Sequence, residues 1–280
     1  MNMNYLREVE YGLESDRVLD GVPRVDLQLT GAPTVRNIRQ TLDMLLENED
    51  MSLARFGDGE LTLMSGGGCY YQRNSFGVCR RLSEALFRKR PKCLVGLNRA
   101  HYYYTAVTLP RLEKWYSEVG FGGSVRGHIH LLLKREDAPN SVYMAAEVTC
   151  ARHTYRMGRP FFTEFFARWE RVFEGKDVIL VTGRGDLPKG VFYKARSLRI
   201  LHVHPRDAMD AYCVPRQQLL DANGDGSAVV ALCCGPLASC LAWDLSDRMR
   251  CLDIGHLPDD YESFKCNTNA EEEFGAFYCK

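Results

Sequence analysis

The amino-acid sequence predicts an α/β domain with three layers, in which a mostly parallel, Rossmann-like sheet lies between two layers of helices. Short apolar stretches alternate with longer stretches of helical spacing from residue 34 onward. Each apolar stretch is short and apolar enough to be a strand buried on both faces. Strands that alternate with helices pair in parallel through right-handed crossovers. No repeat, low-complexity tract or Pro/Ser-rich linker marks a second domain.

The elements follow from the spacing of apolar residues. The first helix is predicted in TVRNIRQTLDMLLEN, where Val35, Ile38, Leu42 and Leu45 recur at helical spacing behind a Thr34 cap. The predicted strands are 51–56, 93–97, 141–145, 177–182, 199–204, 228–233 and 251–255. The other helical stretches are 77–90, 109–119, 160–173, 207–221 and 236–248. This alternation is typical of βαβ units.

The composition excludes several classes of protein. The 280 residues are enough for one large domain with a full core. The 36 basic and 36 acidic side chains cancel, and neither sign forms a long block, so no surface for duplex nucleic acid is expected. Hydrophobic residues at 45% and aromatic residues at 11% argue against a disordered chain. A small charged ligand fits this composition better than a macromolecular polyanion.

The chain carries no pattern of a secreted or membrane protein. Its eleven cysteines are scattered and form no CxxC pair, which favours small buried residues in a reducing compartment over disulfides. The N-terminal residues lack the basic and apolar regions of a signal peptide. The longest apolar stretch, 228–243, is shorter than the ~20 residues of a membrane span. We expect a soluble, cytoplasmic protein with an arm or cap at 1–30, one domain at 31–265 and a tail at 266–280.

Two carboxylates follow the first predicted strand, in the stretch RFGDGEL. Ligands of open parallel sheets bind beyond the carboxyl ends of the strands, so the location suits a site. If the chain stays extended through Gly59, Asp58 and Glu60 point to the same side and can share one cation. Mg²⁺ and Mn²⁺ accept one or two carboxylates together with substrate phosphates. The alternative is a solvated Asp-Gly turn, and the spacing alone favours that alternative.

Two features around the carboxylates suit a phosphate ligand. Gly57 and Gly59 let the backbone approach a phosphate without an intervening Cβ. Arg55 lies on the same strand and can pair either with Asp58 or with a phosphate. We therefore consider Asp58 and Glu60 as candidate metal ligands.

The stretch from RFGDGEL through the glycine patch to YYQ resembles the signature of the GT-D type glycosyltransferases. Members share an arginine, an aromatic residue, GDGE and a later Tyr-Gln pair, here Arg55, Phe56, Gly57 to Glu60, Tyr71 and Gln72. A second segment, GPLASCLAWDLSDRMRCLDIGHLPDDYE at 235–262, is similar to the closing segment of the family. The resemblance covers about residues 35–264, and two departures stand out. Leu237 replaces a common Thr, and Asp207 replaces a common Asn.

The resemblance implies transfer of a sugar from a nucleotide diphosphate donor, most commonly a uridine one, with the D-x-E motif serving the metal and diphosphate. Mn²⁺ or Mg²⁺ is the implied cofactor. The residues implied for the donor are Arg55, Gly57, Gly59, Gln72, Gly235 and Pro236. The acceptor is a glycan or another hydroxyl compound.

The second segment also has a physical interpretation. An apolar strand, Gly235-Pro236 and a helical stretch place free amides at the carboxyl edge, which either seat an anion or simply start a helix. The last strand brings Asp253 and His256 to the same edge, followed by Glu262. His256 is the first candidate for the base that deprotonates an acceptor, with Asp253 and Glu262 as further catalytic candidates. The alternative is a hydrogen-bonded structural histidine.

Two other functions stay open at this point. A methyltransferase that uses S-adenosylmethionine also has parallel α/β architecture, but its glycine loop and acidic residue belong to successive strands. A scaffold domain that binds nucleotide sugars without catalysis is the third candidate. DANGDGSAVVAL at 221–232 resembles the start of a calcium loop, but Leu232 stands where a glutamate is required, so it is read as a turn. The sequence leaves open whether the protein forms a homo-oligomer.

Overall fold

The computed structural model describes residues 33–98, 142–151 and 159–266. Eight strands lie in these ranges: β1 Thr34–Val35, β2 Ser52–Phe56, β3 Cys93–Leu97, β4 Val142–Ala145, β5 Asp177–Thr182, β6 Ser197–His202, β7 Val229–Cys233 and β8 Cys251–Asp253. The helices are α1 Ile38–Glu47, α2 Asp58–Met64, α3 Phe76–Phe87, α4 Arg159–Phe173, α5 Cys213–Ala222, α6 Pro236–Leu245 and α7 Leu257–Cys266. Short 3-10 turns lie at Ala146–Thr149, Gly190–Phe192 and Ala208–Ala211. None of the helices in these ranges is long and apolar enough to span a bilayer.

The strands form one sheet in the order β1-β4-β3-β2-β8-β7-β5-β6. Every pairing between these strands is parallel. In this order β2 lies between β3 and β8. The chain adds β3 and then β4 on one side of β2, and it later places β8 on the other side. Such a reversal opens a crevice at the carboxyl edge of the sheet. The α/β fold predicted from the sequence is confirmed, with a sheet that is wholly parallel in the described ranges.

Helix packing completes the core and positions the carboxyl ends of β2 and β8. Helix α6 packs against both of these strands and also contacts α3, while α1 packs against α4 and β4. The largest fully buried side chains include Phe56 at the end of β2, and Trp169, Phe166 and Phe173 on α4. The Trp169 indole N–H donates to the Val148 carbonyl at 2.9 Å, so this large ring is buried without an unpaired donor. The carboxyl ends of β2 and β8 therefore lie against closely packed, buried side chains.

The first helix begins later than its apolar spacing predicted. Thr34 and Val35 form strand β1 beside β4, so the prediction of a Thr34 cap is wrong. The N-cap is Asn37, whose side-chain oxygen accepts from the Gln40 N–H at 2.8 Å while the Gln40 side chain accepts from the Asn37 N–H. This reciprocal capping box satisfies two donors of the first turn and is sufficient to start the helix there.

Four further predictions are corrected or fall outside the described ranges. The helix predicted at 207–221 begins after Asp207, which has a left-handed φ of 53°, and consists of a 3-10 turn at Ala208–Ala211 followed by α5. Strand β6 is an edge strand with an exposed Ile200, so its predicted burial on both faces is wrong. The basic residues at 183–196, among them Arg184, are predicted from the sequence to lie on a solvated helix face, but these residues contain no α-helix, so that prediction is wrong. The helix predicted at 109–119 lies outside the described residues.

Candidate active site

Asp58 and Glu60 lie in the first turn of α2, directly beyond the carboxyl end of β2. The expectation that the chain stays extended through Gly59 is wrong, because the helix begins at Asp58. On a helix, side chains at positions i and i+2 point in different directions. The alternation of side chains along a strand therefore does not bring the two carboxylates to the same side. One Glu60 oxygen instead accepts from the Gly57 N–H at 3.0 Å, which caps the first turn. Both carboxylates are partly buried at the edge of the sheet.

The buried environment disfavours charge on these carboxylates. Desolvation and then the neighbouring charge of Asp253 raise the pKa of Glu60 to about 7. Desolvation also raises the pKa of Asp58, while backbone hydrogen bonds and the nearby His256 act in the opposite direction. Glu60 therefore takes up a proton near neutral pH unless a cation neutralises it. Residues from α2 and β8, far apart in sequence, thus form one electrostatic group.

Arg55 and Asp253 form the ion pair beneath this group. The Arg55 Nη2 lies 3.2 Å from the Asp253 Oδ1, and both side chains are largely buried. The guanidinium also donates to the Ala146 carbonyl at 2.6 Å, and the Ser239 hydroxyl donates to the second oxygen of Asp253 at 3.1 Å. Arg55 thus pairs with Asp253 rather than with Asp58. Burial raises the pKa of Asp253, against the opposing charge of Arg55.

The glycine of the DIGH run is required by this ion pair. Gly255 has φ 43°, and a Cβ at this position would collide with the Arg55 Nη2. The same Cβ would lie 3.5 Å from the Thr149 hydroxyl, which is buried and has no hydrogen bond in the described ranges. Only glycine combines this conformation with this approach.

His256 follows Gly255 on the surface of the crevice. Its ring is exposed, yet crowding by neighbouring protein atoms and then the Arg55 charge lower its pKa below the ordinary histidine value. The charges of Asp259 and Arg184 also act on it. Arg184 follows β5 and donates to both oxygens of Asp259, at 2.9 and 2.7 Å, so it lies at the same edge. The structure therefore brings Asp58, Glu60, Asp253 and His256 together.

Glu262 lies further along α7 and apart from this group. Its carboxylate is near Gly190, where an added Cβ would lie 3.0 Å from it, and near the Cys266 thiol at 3.5 Å. Its neighbour Tyr261 donates to the buried Glu170 at 2.8 Å. The Tyr-Glu end of the second signature thus stabilises the attachment of α7 to α4, and a catalytic role of Glu262 stays a prediction.

The YYQ stretch packs against the Gly235 turn. The Gln72 side chain is buried, accepts from the Met209 N–H at 3.1 Å and donates to Asp210 at 3.3 Å. An added Cβ at Gly235, where φ is 57°, would lie 3.4 Å from the Tyr71 Cβ. Gln72 therefore holds the glycine-rich loop beside the start of α6. Its contact with a nucleotide stays a prediction.

The two departures from the signature have a local explanation. Leu237 is fully buried in the core, on the first turn of α6. Asp207 takes the left-handed conformation that asparagine and aspartate tolerate best, and its carboxylate accepts from the Arg73 N–H at 2.7 Å. Aspartate can therefore replace asparagine at 207 without loss of the turn.

The residues at this edge fit a divalent cation. No group of three His, Cys, Asp or Glu side chains in the described ranges is arranged to hold a metal ion by itself. Mg²⁺ and Mn²⁺ do not require three, since phosphates and water complete their coordination. Asp58, Glu60 and Asp253 are partly or wholly buried carboxylates at this edge, and burial is the main cause of the raised pKa of each. A hard cation with oxygen ligands would stabilise their charged forms.

Comparison with known proteins identifies the family. A family model described as the glycosyltransferase GT-D fold matches residues 53–276. The chain belongs to the GT-D family. The matched residues include the whole RFGDGE motif and all of the second signature. The resemblance found in the sequence is therefore confirmed.

Curated proteins and a solved structure are similar to this chain in sequence and in fold. It is 26% identical over 240 residues to a probable glycosyl transferase, Gly, of Streptococcus gordonii, covering 83% of this chain and 33% of that protein. It is 22% identical to the glycosyltransferase GlyD of Streptococcus pneumoniae, covering 86% of this chain and 29% of that protein. The chain thus spans about a third of the length of these curated relatives. A glycosyltransferase structure from Streptococcus sanguinis superposes with a TM-score of 0.68 at 25% identity, covering 84% of this chain and 85% of the other.

Sequence reasoning missed two side chains of this site. The Ser239 hydroxyl donates to the Arg55 carbonyl at 2.6 Å as well as to Asp253, so it connects α6 to both strands. A serine on an apolar helix carries no signal of this role. Arg184 was placed on a solvated helix face, whereas the signal that could have found it is its position two residues beyond a parallel strand.

Proposed function

We propose that this protein is a metal-dependent glycosyltransferase that moves a sugar from a nucleotide diphosphate donor, a UDP-sugar, to a glycan or other hydroxyl acceptor. The observation that carries the proposal is the pair of partly buried carboxylates, Asp58 and Glu60, directly beyond the carboxyl end of β2 in a chain of the GT-D family. A divalent cation between these carboxylates and a diphosphate would offset the repulsion between the like charges.

The donor would bind across the crevice between α2 and α6. Asp58 and Glu60 would hold Mn²⁺ or Mg²⁺, and the cation would supply positive charge to the leaving diphosphate. Arg184, paired with Asp186 and Asp259, lies at the same edge. The positive φ of Gly235 turns the chain into α6, whose first free amides would donate to a phosphate.

The acceptor hydroxyl must lose a proton during transfer. His256 is exposed at the edge, and its lowered pKa keeps it neutral at neutral pH, so its ring can take this proton. Asp253 is engaged by Arg55 and Ser239 and is buried, so it serves to position Arg55 and the Gly255 turn. This assignment changes the role expected for Asp253 from catalytic to positioning.

The test of this function is hydrolysis and transfer from a panel of nucleotide sugars. We expect turnover of a UDP-sugar in Mn²⁺ or Mg²⁺ and loss of turnover in EDTA. Turnover that is equal with and without the cation contradicts the metal role. Labelling of a substrate by S-adenosylmethionine would instead support the methyltransferase alternative.

Cooperative binding of metal and nucleotide is a separate prediction. UDP with Mn²⁺ is expected to raise the melting temperature more than either alone, because a ligand bound only to the folded state stabilises it by mass action. At a ligand concentration 100 times Kd the stabilisation is about 2.7 kcal/mol. The measurement is thermal denaturation with UDP, GDP and S-adenosylhomocysteine in parallel. A shift with S-adenosylhomocysteine alone contradicts the prediction.

The pH dependence of transfer follows from the pKa of His256. In saturating Mn²⁺, which favours the ionised form of Glu60, the lowered folded pKa of His256 leads us to expect that kcat/KM falls only as pH drops below about 6.5, the ordinary histidine value. Arg184→Gln removes one of the positive charges that lower this pKa and frees the Asp259 charge that raises it. The acidic limb of the kcat/KM profile should then move to higher pH. Arg171→Gln, on α4, is the matched control, and an unmoved limb in Arg184→Gln contradicts His256 as the base.

A further inference from the structure

A cavity of about 280 Å³ lies at the opposite edge of the sheet from the candidate active site. Lys92, Lys176 and Arg250 line it, and each directly precedes a strand, β3, β5 and β8. Because the strands are parallel, their amino ends meet at one edge. The cavity and the candidate active site are thus separated by the length of the strands.

The carboxylates that line this cavity are already neutralised. Glu49 lies 2.6 Å from the Lys176 ammonium, and Asp50 lies 3.1 Å from the Lys92 ammonium. The third, Asp247, pairs with Arg90 at 2.6 Å. Each of these charges therefore has a partner of opposite sign.

Two arginines of the lining have no such partner. Neither Arg248 nor Arg250 forms an ion pair within the described ranges, and Arg248 is exposed. Arg250 is only 6% exposed. Its Nε donates to the Met51 carbonyl at 3.2 Å and its Nη2 to the Leu45 carbonyl at 2.5 Å. Its Nη1 forms no hydrogen bond in the part of the chain that the structure describes.

The buried position of Arg250 is costly without an anion. Desolvation lowers the pKa of its guanidinium, against the more distant charges of Glu49 and Asp50, which hydrogen-bond lysines instead. A buried charge that only neutral carbonyls contact gains from any anion that can reach it. The geometry of a guanidinium favours an oxyanion with two free oxygens.

We propose that this cavity binds a small phosphorylated anion, held between Arg248 and Arg250 at the amino edge of the sheet. The backbone between α5 and β7 forms one wall. Gly226 has φ 70°, and a Cβ there would collide with the Arg248 carbonyl, so this wall lies close against the chain that carries both arginines. The site lies away from the donor crevice, so phosphate bound here leaves the crevice free.

The test is a titration of the metal-free protein with inorganic phosphate, followed by melting temperature and calorimetry against sodium chloride of equal ionic strength. The wild-type protein is expected to melt at a higher temperature in phosphate than in chloride. Arg248→Gln should weaken phosphate binding at least about tenfold, since a charge-assisted hydrogen bond contributes about 1.5–3 kcal/mol. Because Arg248 is exposed, this variant is expected to fold.

Two control variants separate this cavity from other anion sites. Arg171→Gln, on the surface of α4, and Arg184→Gln, at the candidate active site, should bind phosphate like the wild type. The proposal is overturned if phosphate acts no differently from chloride, if Arg248→Gln binds as the wild type does, or if Arg184→Gln is the variant that loses binding. Sulfate and acetate as parallel titrants distinguish a phosphate site from one that accepts any oxyanion.

Discussion

Glu60→Gln and Asp58→Asn are each expected to lower kcat/KM for transfer by about 10²–10³, because each removes one negative ligand of the cation that stabilises the leaving diphosphate. Glutamine preserves the shape of Glu60 and can still accept from the Gly57 N–H, so the first turn of α2 should persist. The measurement is steady-state transfer in Mn²⁺ for both variants. Full activity in both would contradict the proposed metal site.

The stability of Glu60→Gln shows whether a loss of activity in this variant comes from a lost metal ligand or from unfolding. The folded pKa of Glu60 is about 7, above the unfolded value of 4.5. Between these values the unfolded chain releases the proton that the folded protein keeps, so wild-type stability falls as pH rises through this window. In metal-free buffer, Glu60→Gln should therefore be more stable than the wild type at pH 8, with little difference at pH 4. Glu84→Gln, on α3, is the matched control.

Asp253→Asn is expected to lower the free energy of unfolding by about 3–5 kcal/mol, because it leaves the buried Arg55 guanidinium without its partner. The Ser239 hydroxyl also loses a charged acceptor. Urea denaturation at pH 7 measures the change. Asp177→Asn is the control, since it breaks an ion pair with Arg196 at the surface and should change stability little. Equal effects of the two substitutions would contradict a structural role of the Arg55–Asp253 pair.

This stability effect also bears on the division of roles at the site. If Asp253 is a positioning residue, Asp253→Asn should lower activity together with stability. His256 has no comparable structural contacts in the described ranges. The two residues lie three positions apart, yet one faces the core and the other faces solvent.

Local pattern was sufficient to predict most of the architecture. The apolar stretches at 93–97 and 177–182 coincide with β3 and β5, because short runs of apolar residues between polar helices have few other stable arrangements. The errors lie where one residue outweighs the pattern. Asn37 starts α1 in place of Thr34, and the left-handed conformation of Asp207 excludes this residue from the helix predicted at 207–221. Capping and backbone conformation act at single positions, which periodicity does not detect.

The carboxylate motif shows the same limit within the site. The sequence correctly places GDGE beyond β2. The predicted extended conformation is wrong, because the Glu60 carboxylate caps the helix that begins at Asp58. The sequence predicts two alternative partners for Arg55, namely Asp58 and a phosphate. Its actual partner is Asp253, 198 residues away in the chain. No local rule selects a partner at that distance.

The sequence by itself determined the parallel α/β fold, the family signature and the edge of the sheet at which the acidic residues gather, because these depend on periodicity and on short motifs. The tertiary structure alone decided which charges meet. It paired Arg55 directly with Asp253, which also accepts from the Ser239 hydroxyl, and it left Arg248 and Arg250 beside a cavity at the other edge. The physical reason is that burial and Coulomb energy depend on the distances between side chains, and these side chains lie on strands that are adjacent in space but far apart in sequence.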